Sequence, residues 1–306
     1  MNTDASLGKG SAGIRFGVFV GQANKEWPQI RDEFLLAEDL GFDHAWVVDH
    51  FVNTDGPPSD PCHEAWTLLA ALAVSTTRIR LGVLVSSNTF RHPALLLKEA
   101  VTVDHVSGGR VILGMGTGWH GEEHRRYGFE LPEPRERVDR FEEAVQIVHS
   151  LMSQERTSFP GRHYQLDDAP LEPRPLQQPR IPILIAAHRP RMLRLAARYA
   201  DVWDTFPAIP GTATEGVEDQ IKRRVELLDA ECRRVGRDPA EIRRSTWTGG
   251  DVAGSEARFL DFVGRHRALG FTDFSIGLPR EDDRPMLRRI AAGLMPSLRK
   301  EENPPA

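Results

Sequence analysis

Cysteine is scarce: in 306 residues only Cys62 and Cys232 occur, and they form no C-x-x-C spacing. Two isolated thiols build neither a disulfide framework nor a zinc ribbon, and they fit a reducing cytoplasm, which is the expected location. Long apolar runs are missing too, and none approaches the roughly 20 residues that span a bilayer. The opening MNTDASLGKGSAG has neither the basic nor the apolar region of a secretory leader. Residues 1–13 read as a disordered tail. Charge of one sign is also absent: the formal charge is only -5 and acids and bases are interspersed, so no nucleic-acid or membrane partner is predicted. A G-x-G-x-x-G turn is lacking after the first predicted strand, where Gly21-Gln22-Ala23-Asn24-Lys25 stands instead. That argues against an open dinucleotide-binding sheet.

What is there is a globular composition, 40% hydrophobic and 27% charged, with a regular cadence of apolar strand and amphipathic helix. Strands are predicted over 14–20, 45–48, 81–85, 111–115, 182–186, 202–206, 242–247 and 273–276. Helices are predicted over 28–40, 65–75, 93–106, about 135–152, 191–199, 215–235, 256–269 and 285–294. Eight alternations whose strands do not alternate in polarity point to an α/β fold, a parallel (β/α)8 TIM barrel. A turn-rich insertion, 154–180, separates the fourth and fifth strands. One domain spans residues 14–298, and the charged, proline-bearing end at 299–306 reads as a flexible tail.

Catalytic groups of such barrels stand where strands end, so the residues after each strand matter most. Strand two runs into Asp49-His50-Phe51, pairing a carboxylate with the side chain that titrates nearest neutrality, which suits proton transfer. Strand three runs into Ser86-Ser87-Asn88-Thr89. Strand four runs into Gly114-Met115-Gly116-Thr117-Gly118-Trp119, where glycines let backbone amides approach a planar ring or an anion, or serve only a tight corner. His120-Gly121-Glu122-Glu123-His124 matches H-x-x-E-H, a zinc pattern, but without the structural context that zinc would require. Ala187-His188-Arg189-Pro190 ends strand five; with Arg191 it makes either a phosphate site or a solvated basic turn. Trp119 and Trp203 line a pocket or belong to the core.

WVVDHF, then RIRLGVLVSSNTFRHPALLLKEAVTVDHVSGGRVILGMGTGWHGEEHRRYG, then LIAAHRPRMLRLAARYADVWDTF together resemble the luciferase-like flavin-dependent oxidoreductases. The Asp-His after strand two looks like the coenzyme F420 (deazaflavin) branch of that luciferase-like monooxygenase family. The resemblance implies a barrel with a flavin or deazaflavin ring in its mouth and the cofactor phosphate near strand five. It implies that His50 is the acid/base and Asp49 a contact of the ring. Leu84 and Val85 would form a bulge behind the ring, with a non-proline cis peptide, and Ser86, Thr117, Gly118 and Trp119 would meet other parts of the cofactor. Ala187, His188 and Arg189 would flank its tail, although His188-Arg189 replaces a glycine pair of many relatives and reshapes the phosphate site.

The function so implied is hydride transfer between F420 and a small organic substrate, in a homodimer by analogy. An FMN-dependent monooxygenase fed by a separate reductase is the alternative within the family. From the residues alone, a metal-dependent barrel hydrolase using His50, His63, His120 or His124 stays open, as does a non-catalytic ligand-binding barrel.

Overall fold

A computed structural model describes residues 13–206 and 216–302. The predicted tail over 1–12, the helix start at Glu215 and residues 303–306 lie outside the described residues. In chain order the elements are β1 (Arg15–Phe19), α1 (Trp27–Asp39), β2 (His44–Val47), α2 (Ala65–Ser75), β3 (Arg80–Val83), β4 (Ser86–Ser87), α3 (Pro93–Ser107) and β5 (Val111–Gly116). Then come α4 (Gly121–Tyr127), α5 (Pro134–Ser153), β6 (Arg156–Pro160), β7 (Gln165–Pro170), β8 (Ile183–Ala186), α6 (Pro190–Tyr199) and β9 (Val202–Asp204). The chain finishes with α7 (Val217–Arg234), β10 (Arg243–Thr248), α8 (Glu256–Arg267), β11 (Asp273–Gly277), α9 (Arg284–Arg289) and α10 (Met295–Glu302).

The barrel strands follow the order β3-β2-β1-β11-β10-β9-β8-β5-β4, all parallel, and β3 also pairs with β5. Both β3 and β4 lie against β5, so they share one position and the sheet closes on eight. The TIM barrel predicted from the cadence is therefore the fold. Strand three, predicted unbroken over 81–85, is interrupted at Leu84–Val85, whose peptide is cis as the resemblance implies. The insertion holds an antiparallel hairpin, β6 with β7, which a stretch rich in turn residues concealed.

Helix boundaries have local causes. Glu64 caps α2 by accepting from the amides of Trp66 and Thr67. Pro93, Pro134 and Pro190 each open a helix, where the missing N–H costs nothing. The final helix passes through a π segment at Ile290–Leu294 and continues to Glu302, so residues 299–302 are helical rather than tail. Arg299 explains this: its guanidinium lies 5.3 Å from the Phe16 ring and donates to Gly41 O and to the Asp43 carboxylate.

Two apolar regions form the core. The larger lies between the sheet and its helices and includes Phe16, Phe34, Leu97, Phe141, Ile183 and Trp203. The smaller fills the barrel itself, with Trp46, Ile112, Leu184 and Val202 packed by Phe19, Leu84 and Val85. Polar groups share this interior. The Trp46 indole donates to Ser275 Oγ at 3.1 Å, and His44 Nε2 stands 3.3 Å from the same oxygen.

Candidate active site

The exit of β2 is fixed from the side by Gln22, fully buried, whose amide brackets Val48 by accepting from its N–H at 3.0 Å and donating to its carbonyl at 2.5 Å. The next residue, Asp49, is 3% exposed. Its Oδ2 accepts from the Ser87 amide at 2.8 Å and from Arg91 Nη1 at 2.7 Å, while its buried Oδ1 has no partner among the described residues. Burial pushes the Asp49 carboxyl up, against the opposing pull of Arg91 and the Ser87 amide. Arg91 also meets Glu64 and, at 3.1 Å, Glu99. One guanidinium thus serves three carboxylates, and burial raises Glu99 to about 7.

His50 follows, its side chain 13% exposed, with Nδ1 2.8 Å from Oε2 of Glu123. Glu123 is completely buried, and its Oε1 accepts from the amides of Phe51 and Val52. Burial acts to raise the Glu123 carboxyl, but the His50 and Phe51 hydrogen bonds outweigh it and hold it below its ordinary value. An ionised carboxylate only accepts, so Nδ1 of His50 carries the proton and Nε2 is the nitrogen left for chemistry. Among the described residues Nε2 has no partner. Trp119, 59% exposed, stands edge-on to His50 with ring centroids 5.6 Å apart.

Glu123 was not among the sequence candidates, although it lies inside the H-x-x-E-H match. That match resolves into three separate tasks. His120 caps α4, with Nδ1 accepting from the Glu123 amide at 3.3 Å. Glu123 orients His50. His124 puts Nδ1 on His120 O and Nε2 on Thr89 Oγ1, both at 2.7 Å. Among the described residues no group of three or more potential ligands surrounds a common point.

The bulge residues Leu84 and Val85 pack down onto the barrel interior. Ser86 is buried, and its Oγ accepts from the Trp66 indole at 3.2 Å, on the α2 side. Ser87 takes the inner position, with its amide on Asp49 and its hydroxyl on Thr89 at 2.7 Å. Gly118 has φ +82, and a Cβ there would come within 2.5 Å of Ser87 Oγ, so only glycine permits this approach. Thr117 stands before it, partly exposed.

At the end of β8, Ala187 is buried and accepts from the Trp203 indole at 2.9 Å, which places Trp203 in the core rather than in a pocket. His188 packs on Phe206 at 4.5 Å and meets Thr205 Oγ1 at 3.1 Å. Burial, with Arg224 and Arg189 beside it, drives His188 down to about 4, so it is neutral at pH 7. Arg191 is not available to a phosphate: it pairs with Asp139 and Glu142 on α5. The cation sequence reading missed is Arg224, only 7% exposed and donating to Thr205 Oγ1 and Phe206 O. It has no carboxylate partner among the described residues. Arg224 comes from α7, distant in sequence from any strand exit, so only its burial reveals it. A cleft of about 580 Å³ lined by α7 and α8, with Lys222, Arg258 and Phe262, lies on the outer ring; the convergence of titratable groups, not that cleft, marks the mouth as the site.

Residues 12–258 match the model of the family described as luciferase-like monooxygenase. An F420-dependent glucose-6-phosphate dehydrogenase of Kineococcus radiotolerans is 29% identical over 323 aligned positions, covering 89% of this chain and 93% of the relative. A phthiodiolone/phenolphthiodiolone dimycocerosates ketoreductase of Mycobacterium tuberculosis is 32% identical, covering 84% and 72%. Among solved structures, an F420-dependent secondary alcohol dehydrogenase in complex with an F420-acetone adduct superposes with a TM-score of 0.79 at 18% identity, covering 94% of this chain and 99% of the other. That last likeness bears on the fold alone, whereas the family match spans most of the sequence: the chain belongs to the luciferase-like monooxygenase family.

Proposed function

We propose that this chain is a coenzyme F420-dependent oxidoreductase that moves a hydride to or from a small organic substrate. The observation that supports it most directly is the Asp49-His50 pair, with a buried, unpartnered Asp49 Oδ1 beside an imidazole whose Nδ1 is held by buried Glu123. The mouth fits a deazaflavin. Asp49 Oδ1 is an acceptor awaiting a donor, as the pyrimidine N–H groups of such a ring are, and an orphaned buried oxygen otherwise costs about 1–3 kcal/mol. Leu84, Val85 and the Gly118 turn supply close backbone approach. Arg224 and Arg189 offer positive charge near β8 to a phosphate.

When bound, F420 accepts or supplies the hydride. The chain's own residues orient, exclude water and handle the proton. His50 Nε2 takes the proton that leaves the substrate as the hydride departs, or returns it in the reverse direction, and Glu123 stabilises the imidazolium between the two events. Thr117, Trp119, Ala187 and His188 complete the cofactor walls. The two free thiols, Cys62 and buried Cys232, accord with the cytoplasm. A homodimer is proposed through α2 and α3, which carry the exposed apolar side chains Val74, Leu95 and Val106.

The test is direct: titrate the purified protein with F420 and, separately, with FMN, following fluorescence. F420 binding, with reduction of the bound cofactor by an organic hydride donor, is the expected result. Tight FMN binding without any response to F420 would overturn the proposal in favour of the monooxygenase reading.

A further inference from the structure

The geometry points to His120 as a second active-site imidazole, a fixed hydrogen-bond donor to the oxygen of a carbinol or carbonyl substrate; this rests on the function proposed above. Two nitrogens of two histidines decide the matter. His50 and His120 stand with ring centroids 5.9 Å apart and planes at 80°, and Trp119 packs edge-on against both, at 5.6 Å and 4.9 Å. Both side chains are partly open, 13% and 21% exposed. Their Nδ1 atoms are both occupied, but in opposite senses.

His50 Nδ1 faces the buried carboxylate of Glu123 and therefore donates. His120 Nδ1 faces the backbone amide of Glu123 at 3.3 Å and therefore accepts, since an amide nitrogen only donates. The Glu123 carboxylate is also near His120 Nδ1, at 3.9 Å, but that exceeds hydrogen-bond length, so the amide contact sets the tautomer. The consequence is complementary. In neutral His50 the free Nε2 is an acceptor; in neutral His120 the free Nε2 carries a hydrogen. Neither Nε2 has a partner among the described residues, and one residue, Glu123, fixes both through its side chain and its main chain.

A substrate hydroxyl placed between the rings donates its proton to His50 Nε2 and accepts from His120 Nε2–H. In the oxidative direction the carbinol hydrogen leaves with both C–H electrons as a hydride, which F420 would accept when bound, and the O–H bond breaks with its proton passing to His50. The C=O bond forms while His120 keeps its own proton. In the reductive direction the same hydrogen polarises the carbonyl. A donor aimed at developing negative charge on oxygen is worth about 100-fold to 1000-fold in rate. The reacting carbon is thereby assigned to the oxygen-bearing class.

The experiment uses the full chain labelled with 15N-histidine. In the cofactor-free protein at mildly alkaline pH, His120 is expected to show an unprotonated Nδ1 and a protonated Nε2, and His50 the reverse; a protonated Nδ1 on His120 overturns the assignment. His120→Asn keeps a side-chain oxygen to cap the Glu123 amide but removes the Nε2–H. With propan-2-ol, cyclohexanol and glucose 6-phosphate as hydride donors, the variant is expected to lose about 100-fold in kcat while its F420 affinity, read by fluorescence, stays at the wild-type value. Wild-type kcat in His120→Asn overturns the role of His120 alone. F420 bound but none of the three donors oxidised overturns the carbon–oxygen class, and failure of wild-type protein to bind F420 overturns the functional proposal itself.

Discussion

Glu123 carries more of the site than any residue singled out by position along the strands, because it holds His50 in one tautomer while having no exposed surface of its own. Glu123→Gln keeps an oxygen for the Phe51 and Val52 amides but presents an NH2 to His50 Nδ1, forcing the proton to Nε2. The expected outcome is a loss of kcat of about 100-fold or more, measured beside an unchanged F420 affinity; full activity would remove Glu123 from the proton path. Asp204 makes a different residue-scale prediction. It is fully buried at the end of β9, its Oδ1 unpartnered, and burial raises it to about 7. Its folded-state value lies above the unfolded one, so the folded protein holds the proton more tightly. Stability from this group is complete below the unfolded pKa near 4 and is lost as pH rises through about 7. The Tm advantage of Asp204→Asn over wild type should therefore grow between pH 4 and pH 7 and then level off. A constant difference across that range would show that Asp204 does not titrate there.

At the scale of elements, the site depends on how closely β5 approaches β3. A Cβ on Gly114 would stand 2.0 Å from Val83 O, an obstruction by backbone that no rotamer relieves. Gly114→Ala should cost about 3 kcal/mol, visible in denaturant unfolding, and should weaken F420 binding because Leu84 and Val85 lie just beyond Val83. Much of the sequence that carried the family resemblance works at this level rather than in chemistry. Arg110 of the S-G-G-R run donates to Ala73 O, Thr76 O and Ile79 O, closing the end of α2. Asp104 takes the Leu176 amide and the Gln177 side chain, pinning the insertion to α3. Asp201 receives the Ile183 amide and pairs with Arg180. Each of these polar groups is tied to more than one structural partner. The β6–β7 hairpin was not evident in the sequence, since its strands are short, largely exposed and each ends on a proline.

For the molecule as a whole, the exposed apolar side chains on α2 and α3 make the assembly testable. Leu95 and Val106 are eleven residues apart, three helical turns, and so share a face. Light scattering should give wild type twice the 34.3 kDa of one chain, and the double variant Val74→Lys, Leu95→Lys should scatter as one chain with its fold intact by circular dichroism. A wild-type mass of one chain at micromolar concentration would end the dimer proposal. Among the described residues no helix is long and apolar enough to cross a membrane.

The sequence by itself determined the barrel and the place of Asp49-His50 at the exit of its second strand, because strand and helix periodicity, glycine placement and the polar strand exits are all local properties. It also placed the insertion between strands four and five. Only the tertiary structure decided that Glu123 holds His50, that Ser87 meets Asp49, and that Arg224 brings charge to the end of β8 while Arg191 pairs with α5. The physical reason is common to the three. Each choice depends on which way a side chain turns after the barrel closes, and on contacts between residues as far apart as 73 positions in the His50–Glu123 pair. No spacing rule along the chain encodes such a distance.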